Sequence, residues 1–135
     1  MMKATATRTE GRRHAIAIRG HQLTVDEDAK LGGSDAGPTP LELLAASLAS
    51  CVAVTVEMYA ERKGWDVGKF EVEVGYSIAE RGTPTSFDVV LRVPAELTDE
   101  QVERLSVIAA KCPVHRTLDG EVMFSERVER TALAS

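Results

Sequence analysis

The sequence predicts an α+β domain in which two main helices pack on mostly antiparallel sheets, in the order βββ–α–ββ–α–β. Three observations carry this prediction. Short segments alternate apolar and polar residues, a long apolar segment has helix-capping residues at both ends, and glycines or short turns join consecutive strands. The length of 135 residues fits one domain, over residues 1–135, with one hydrophobic core.

Three strands are predicted in the first third of the chain. Residues 4–7, 15–18 and 21–26 carry the alternation or the β-branched residues that strands favour. Gly11 and Gly20 lie between these segments, where tight turns favour residues with few steric restrictions. We therefore expect two consecutive hairpins.

The first helix is predicted from Pro40 to Arg62, after a loop rich in glycine and proline. Thr39 is a suitable N-cap, Pro40 suits the first helical position, and Glu42 completes a capping box with Thr39. Gly64 lies just beyond the predicted end, where a C-cap is expected. Both boundaries of this helix are thus encoded locally.

This helix is apolar or small on nearly all of its faces. One stripe has three- and four-residue spacing and consists of Leu41, Leu44, Leu48, Cys51, Val52, Thr55 and Tyr59. A helix that is apolar all round is buried all round. Because one domain of this size can hardly wrap a helix of about six turns, we expect a second subunit to cover part of it.

Two further strands are predicted over residues 69–78 and 86–93, joined by a turn at residues 81–84. Apolar side chains occupy every second position in both segments, so each strand has one face for the core. The pair is expected to form a hairpin that follows the first helix.

A second helix is predicted to begin at Thr98, with Asp99 and Glu100 near its positive end. It stops before Pro113, because the residue that precedes a proline disfavours helical geometry. A short turn then leads to a last strand, predicted over residues 122–128.

Charge and composition narrow the function classes. The formal net charge is -5, and an acidic surface without basic clusters argues against a nucleic-acid partner. The longest uncharged stretch, residues 43–56, is too short to span a bilayer, and the first residues lack the apolar segment of a secretory signal. With two cysteines, the chain has no disulfide framework. We therefore expect a cytoplasmic protein with reduced thiols and no membrane partner.

The two cysteines are the candidates for chemistry. Cys51 lies midway along the apolar helix, where a small core side chain is the simplest interpretation. Cys112 lies between a helix end and Pro113, an N-cap-like position that would lower the thiol pKa. Lys111, His115 and Arg116 are cations or potential cations in the same segment. They either favour a thiolate or are solvated charges beside a thiol that is only a cap, and both alternatives stay open.

If the two thiols face each other across their 60 intervening residues, they suit peroxide chemistry. One thiolate attacks a peroxide oxygen and becomes a sulfenic acid, and the second thiol condenses with it to a disulfide. This chemistry needs no metal, and the histidines His14, His21 and His115 lack zinc-site spacing. We expect neither a metal nor a resident cofactor.

Two runs resemble the signatures of the OsmC/Ohr superfamily, the osmotically inducible and organic hydroperoxide resistance proteins. They are residues 32–51, which end at Cys51, and residues 111–118, which contain Cys112. The resemblance implies an OsmC-like fold in an intertwined homodimer with two sites at the subunit interface. It also implies that Cys51 is the peroxidatic thiol and Cys112 the resolving thiol. An external dithiol, typically of the lipoyl type, would supply the electrons for reducing organic hydroperoxides.

One position departs from the peroxidase pattern of the superfamily. In the peroxidase subgroups a glutamate follows the proline at the helix start and pairs with an arginine, but here Leu41 follows Pro40. The next carboxylate, Glu42, points about 100° away around the helix, and its capping box explains it better. Arg12 and Arg13, in the first predicted hairpin, are the nearest candidate arginines, and Arg13 is the preferred one. Arg13 and Glu42 are therefore tentative peroxide-polarising residues, and the sequence resembles the OsmC-like branch more closely.

The sequence thus favours a homodimeric thiol peroxidase for small apolar hydroperoxides. The alternative is an OsmC-like dimer that binds a small apolar ligand in the interface cleft, with its thiols as a redox switch or a remnant. A third hypothesis is that both cysteines only pack. The separation of the two sulfurs discriminates among these hypotheses, because a disulfide needs Cα atoms within about 7 Å.

Overall fold

The computed structural model describes residues 1–78 and 82–132 and confirms the predicted α+β class. A short 3₁₀ helix, Ala29–Leu31, precedes the first long helix. The remaining elements are the strands β1 (Thr5–Glu10), β2 (Arg13–Ile18), β3 (His21–Val25), β4 (Glu71–Ile78) and β5 (Pro84–Arg92), and the helices α1 (Pro40–Lys63), α2 (Asp99–Ala109) and α3 (Pro113–Leu118).

The first three strands form an antiparallel meander of order β1–β2–β3, as predicted. Gly11 and Arg19 take positive φ values of 53° and 54° in its two turns. All six residues of β1 are exposed, and Val25 is the buried residue of β3. This sheet therefore contributes little to the hydrophobic core of the chain.

The second sheet is the β4–β5 hairpin, which packs its apolar face on α1. Val74 pairs with Val89 and Tyr76 with Phe87, so the alternating apolar residues lie on one face. Of the predicted turn, Gly82 and Thr83 are bends and Pro84 already belongs to β5, whereas Arg81 lies outside the described residues. The predicted hairpin is confirmed, with β5 starting two residues early.

Helix α1 has both predicted caps and is the centre of the core. The Thr39 Oγ1 accepts the Glu42 N–H at 3.2 Å, and the Glu42 Oε1 accepts the Thr39 N–H at 2.8 Å. Gly64 ends the helix in the left-handed region with φ 72°. One side of α1 is packed against α2 and β4, in a core that consists of Leu48, Val52, Val56, Tyr59, Ala60, Val67, Leu105, Ile108 and Cys112.

The opposite side of α1 is uncovered in the single chain. Ala46, Ser50, Val54 and Met58, at four-residue spacing, are exposed, Val54 at 52 % and Met58 at 60 %. We call these four residues the open stripe. The predicted burial of α1 on nearly all of its faces is therefore seen on one side only, in the single chain. In the described residues, α1 is also the one helix that is long and apolar enough to cross a membrane. This is weak evidence for a membrane span, because α1 packs on α2 and β4 as a core helix does.

The predicted last strand over residues 122–128 is wrong for the single chain. Residues 121–132 carry no strand pairing, and Val122, Met123, Phe124 and Val128 are exposed at 50 to 97 %. A strand exists only where a neighbouring strand completes its hydrogen-bond ladder. The described sheets β1–β2–β3 and β4–β5 do not take up this segment. We call residues 121–132 the C-terminal segment.

Candidate thiol site

One short stretch of backbone brings the two cysteines together. The Val114 N–H lies 3.5 Å from the Cys51 Sγ, and the His115 N–H donates to the Cys112 Sγ at 3.3 Å. The Cys51 thiol also lies near enough to Cys112 to help raise the pKa of the Cys112 thiol. Two residues that are separated by 60 intervening residues in the sequence therefore share one site.

The position of Cys112 follows from the end of α2 and the start of α3. The Lys111 N–H closes the end of α2 on the Ile108 carbonyl at 2.9 Å, and Cys112 then adopts extended angles of φ -67° and ψ 147°. These are the angles of an N-cap, and Pro113 occupies the first helical position, where its missing N–H costs nothing. The predicted N-cap role of Cys112 is confirmed.

The predicted effect of that position on the Cys112 thiol is wrong. Cys112 is fully buried, and this burial raises the pKa of its thiol, helped by the neighbouring Cys51. The N–H groups of His115 and Val114 lower the pKa, but they do not outweigh the desolvation. Lys111 and Arg116 are exposed, as expected of solvated charges. Burial therefore favours the protonated form of the Cys112 thiol.

Arg13, the candidate arginine, pairs with carboxylates. Its guanidinium lies 3.1 Å from the Glu10 carboxylate and 3.9 Å from that of Asp26. Asp26 is 1 % exposed and accepts the N–H groups of Glu27, Ser34 and Ala36. Chiefly these hydrogen bonds lower the pKa of Asp26, and Arg13 adds to the effect. Within the described residues Arg13 makes no hydrogen bond to either thiol.

Glu42, the other tentative residue, uses its carboxylate in the capping box of α1. In the described part of the chain, the structure does not bring it to the thiols. Leu41, by contrast, lines a cavity. The structure thus brings Cys51 and Cys112 together, whereas in the single chain Arg13 and Glu42 contact other groups.

An apolar cavity of about 540 Å³ lies between the first half of α1, the strand β5 and the helix α3. Its walls consist of Leu41, Leu44, Leu48, Thr83, Pro84, Ser86, Phe87, Val89, His115, Leu118 and Asp119. A second cavity of about 360 Å³ lies between β5 and α2, and His115 lines it as well. We call them the large and the small apolar cavity. A pocket of several hundred Å³ with apolar walls suits a small organic molecule.

Sequence reasoning missed one part of this site. It identifies His115 as a potential cation beside Cys112, but not as a wall of two cavities. Asp26, predicted at the end of a strand, is a buried carboxylate that anchors the loop before α1 and pairs with Arg13. In residues 1–78 and 82–132, no group of three or more histidine, cysteine or acidic side chains could hold a metal ion.

Comparison with known proteins agrees with this architecture. The family model of the OsmC-like proteins matches residues 32–127. A solved Psychrobacter arcticus protein, named for osmotic stress induction and detoxification, has 22 % identity and a TM-score of 0.79, over 87 % of this chain and 88 % of its own. An OsmC-like protein from Mycoplasma pneumoniae has 21 % identity and a TM-score of 0.77, over 89 % of this chain and 88 % of its own.

A third similar structure is an organic hydroperoxide resistance protein from Elizabethkingia anophelis. It has 24 % identity and a TM-score of 0.65, over 89 % of this chain and 90 % of its own. None of the curated proteins compared matches the chain. Likeness at these identities shows the fold alone, whereas the family model covers most of the chain, including both cysteines. The protein belongs to the OsmC family.

Proposed function

We propose that this protein reduces organic hydroperoxides with Cys51 and Cys112 as its redox thiols. The observation that carries the proposal is a pair of adjacent backbone contacts. The Val114 N–H contacts the Cys51 Sγ at 3.5 Å, and the His115 N–H donates to the Cys112 Sγ at 3.3 Å. Membership of the OsmC family supports a redox role. So does the fold shared with organic hydroperoxide resistance proteins.

The burial of the two thiols supports a division of roles. Cys51 is partly accessible, whereas Cys112 is fully buried and its burial raises the pKa of the thiol, so peroxide meets Cys51 first. The Cys51 sulfur attacks the terminal peroxide oxygen, an S–O bond forms and the O–O bond breaks. The products are a sulfenic acid and an alcohol, whose new O–H carries the proton that the thiol lost.

The second step closes the disulfide. The Cys112 sulfur attacks the Cys51 sulfur, the S–S bond forms, and hydroxide leaves and takes the Cys112 proton as water. An external dithiol, of the lipoyl type in the superfamily that the sequence resembles, then returns two electrons and two protons by thiol–disulfide exchange. Each cycle converts one hydroperoxide and one dithiol into an alcohol, water and a disulfide.

A single-turnover titration tests this function. We expect reduced protein without added dithiol to consume one equivalent of cumene hydroperoxide per chain and to lose both thiols. Intact-mass spectrometry should then find one intramolecular disulfide. A protein that consumes no cumene or tert-butyl hydroperoxide would contradict the proposal, whether or not dithiol is supplied.

The large apolar cavity favours a second candidate function, the binding of a small apolar ligand. Its volume of about 540 Å³ and its leucine, phenylalanine and valine walls suit such a ligand without any reaction at sulfur. In that case an apolar fluorescent probe should bind reduced and oxidised protein, while hydroperoxide leaves both thiols intact. The titration above therefore separates the two functions.

We further propose that the functional unit is a homodimer. The open stripe of α1 and the C-terminal segment expose large apolar side chains in one chain, and both are explained if a second copy covers them. An obligate dimer of this kind buries more than about 2,000 Å² in total. The cytoplasm, with its reducing conditions, is the compartment in which these free thiols would persist.

The Val54→Glu substitution should convert this dimer into a monomer. Val54 is 52 % exposed in the single chain, so glutamate is tolerated there by the helix, but at a dimer interface the charge would be buried without a partner. We expect analytical ultracentrifugation at micromolar concentration to give twice 14.6 kDa for the wild type and 14.6 kDa for the variant. Lys69→Glu, an exposed charge change away from the stripe, is the control. A monomeric wild type would contradict the proposal.

A further inference from the structure

We infer that His115 transfers the proton in the peroxide-cleaving step, an inference that rests on the proposed function. His115 lines both apolar cavities, the large one between α1, β5 and α3 and the small one between β5 and α2. It is half-buried, whereas His21 is exposed on β3. Of the residues that line the large cavity, His115 and Asp119 are the ionisable ones, and Asp119 is exposed.

The backbone of His115 lies beside the sulfurs. The His115 N–H is held by the Cys112 Sγ at 3.3 Å, and its carbonyl accepts the Asp119 N–H at 3.0 Å. The preceding N–H, from Val114, contacts the Cys51 Sγ at 3.5 Å. The residue is therefore anchored at both of its peptide bonds, next to the sulfurs and at the wall of the large apolar cavity.

The chemistry needs a proton donor at this place. When the O–O bond of an alkyl hydroperoxide breaks, the departing oxygen is a strongly basic alkoxide, which an apolar cavity cannot solvate. Arg13 is paired with Glu10 and Asp26, and the Glu42 carboxylate binds the Thr39 N–H. In the described part of the site, His115 is left as the side chain that can both accept and donate a proton.

The proton balance of the step is then closed. An imidazole nitrogen accepts the proton of the Cys51 thiol, and the sulfur donates an electron pair to the terminal peroxide oxygen. The S–O bond forms as the O–O bond breaks, and the same imidazole gives the proton to the alkoxide. Cysteine thiol and hydroperoxide become sulfenic acid and alcohol, and His115 returns to its neutral form.

The test varies the basicity of the leaving group. An alkyl hydroperoxide releases an alkoxide that needs a proton, whereas a peracid releases a carboxylate that does not. In rapid-mixing measurements of Cys51 oxidation, we expect His115→Ala to slow the reaction with tert-butyl hydroperoxide about 100-fold, at the low end of general acid–base effects. The reaction with peracetic acid should slow by a clearly smaller factor, because it needs His115 only to accept the Cys51 proton and not to protonate the leaving group.

Two further variants make the result decisive. His115→Gln keeps the size and polarity of the side chain but cannot transfer the proton, so it should behave like His115→Ala, and added imidazole should restore part of the His115→Ala rate. His21→Ala, on the exposed strand β3, should react like the wild type. Equal losses with both oxidants, or a wild-type rate in His115→Gln, would overturn the inference and leave the proposed function standing. A wild type that reacts only with the peracid would overturn both.

Discussion

We expect Cys51→Ser to consume no hydroperoxide at all, whereas Cys112→Ser completes one reaction and then stops. Loss of the attacking group should cost at least about a thousandfold in rate, because a hydroxyl near its normal pKa is a poor nucleophile. Cys112→Ser retains the partly accessible thiol of Cys51 and lacks only the group that closes the disulfide. Its sulfenic acid therefore accumulates and is oxidised further by excess peroxide.

The asymmetry between these two variants is the informative measurement. A dimedone-type probe followed by mass spectrometry should label Cys51 in the Cys112→Ser protein and label nothing in the Cys51→Ser protein. Circular dichroism spectra of both variants serve as the control for folding. Equal losses that follow reduced stability would mean that the two cysteines only pack. A label at the remaining Cys112 would reverse the proposed roles.

Gly33→Ala should produce the largest loss of stability among the glycine variants of this chain. A Cβ at Gly33 would overlap the carbonyl oxygen and carbon of Glu27, and backbone atoms cannot rotate away as a side-chain end can. The Gly33 N–H also closes the loop on the Asp28 carbonyl at 2.9 Å. We expect the free energy of unfolding to fall by about 3 kcal/mol, as in severe overpacking, and Tm to fall by about 10 °C.

Gly20→Ala is the matched control for this effect. Gly20 also lies in the first half of the chain, but a Cβ there meets nothing within 4 Å. Its substitution should change the free energy of unfolding by less than about 0.5 kcal/mol. Thermal denaturation of both variants at one protein concentration compares them. Equal Tm values for the two variants would contradict this prediction, because the loop before α1 would then accommodate the added Cβ with no loss of stability.

Local signals explain why much of the fold could be predicted from the sequence. Thr39, Pro40 and Glu42 act within a few residues of one another, so the start of α1 is set before any tertiary contact. The same is true of Cys112 and Pro113 at the start of α3. The alternation in β4 and β5 also has a local cause, because one face of a hairpin must meet the core.

The features that sequence reasoning missed all depend on distant partners. Cys112 keeps its proton because α1 and α2 bury it, and this burial outweighs the N–H groups that a motif can predict. Arg13 pairs with Asp26 next to the β2–β3 hairpin, a contact that no local motif encodes, and its role toward peroxide stays a prediction. Residues 122–128 have a strand pattern, but a strand also needs a neighbour, which the described part of the chain does not offer.

The capping role of Cys112 ties the local folding of α3 to the redox cycle. In the reduced protein, the Cys112 sulfur accepts the N–H that begins this six-residue helix. In the proposed disulfide, that sulfur takes a second bond with a fixed dihedral angle and is no longer free to follow the N–H. Oxidation would therefore fray the first turn of α3, which is also a wall of the large cavity. The oxidised protein, which is the form that must react with the external dithiol, would then have the more mobile wall at the large apolar cavity.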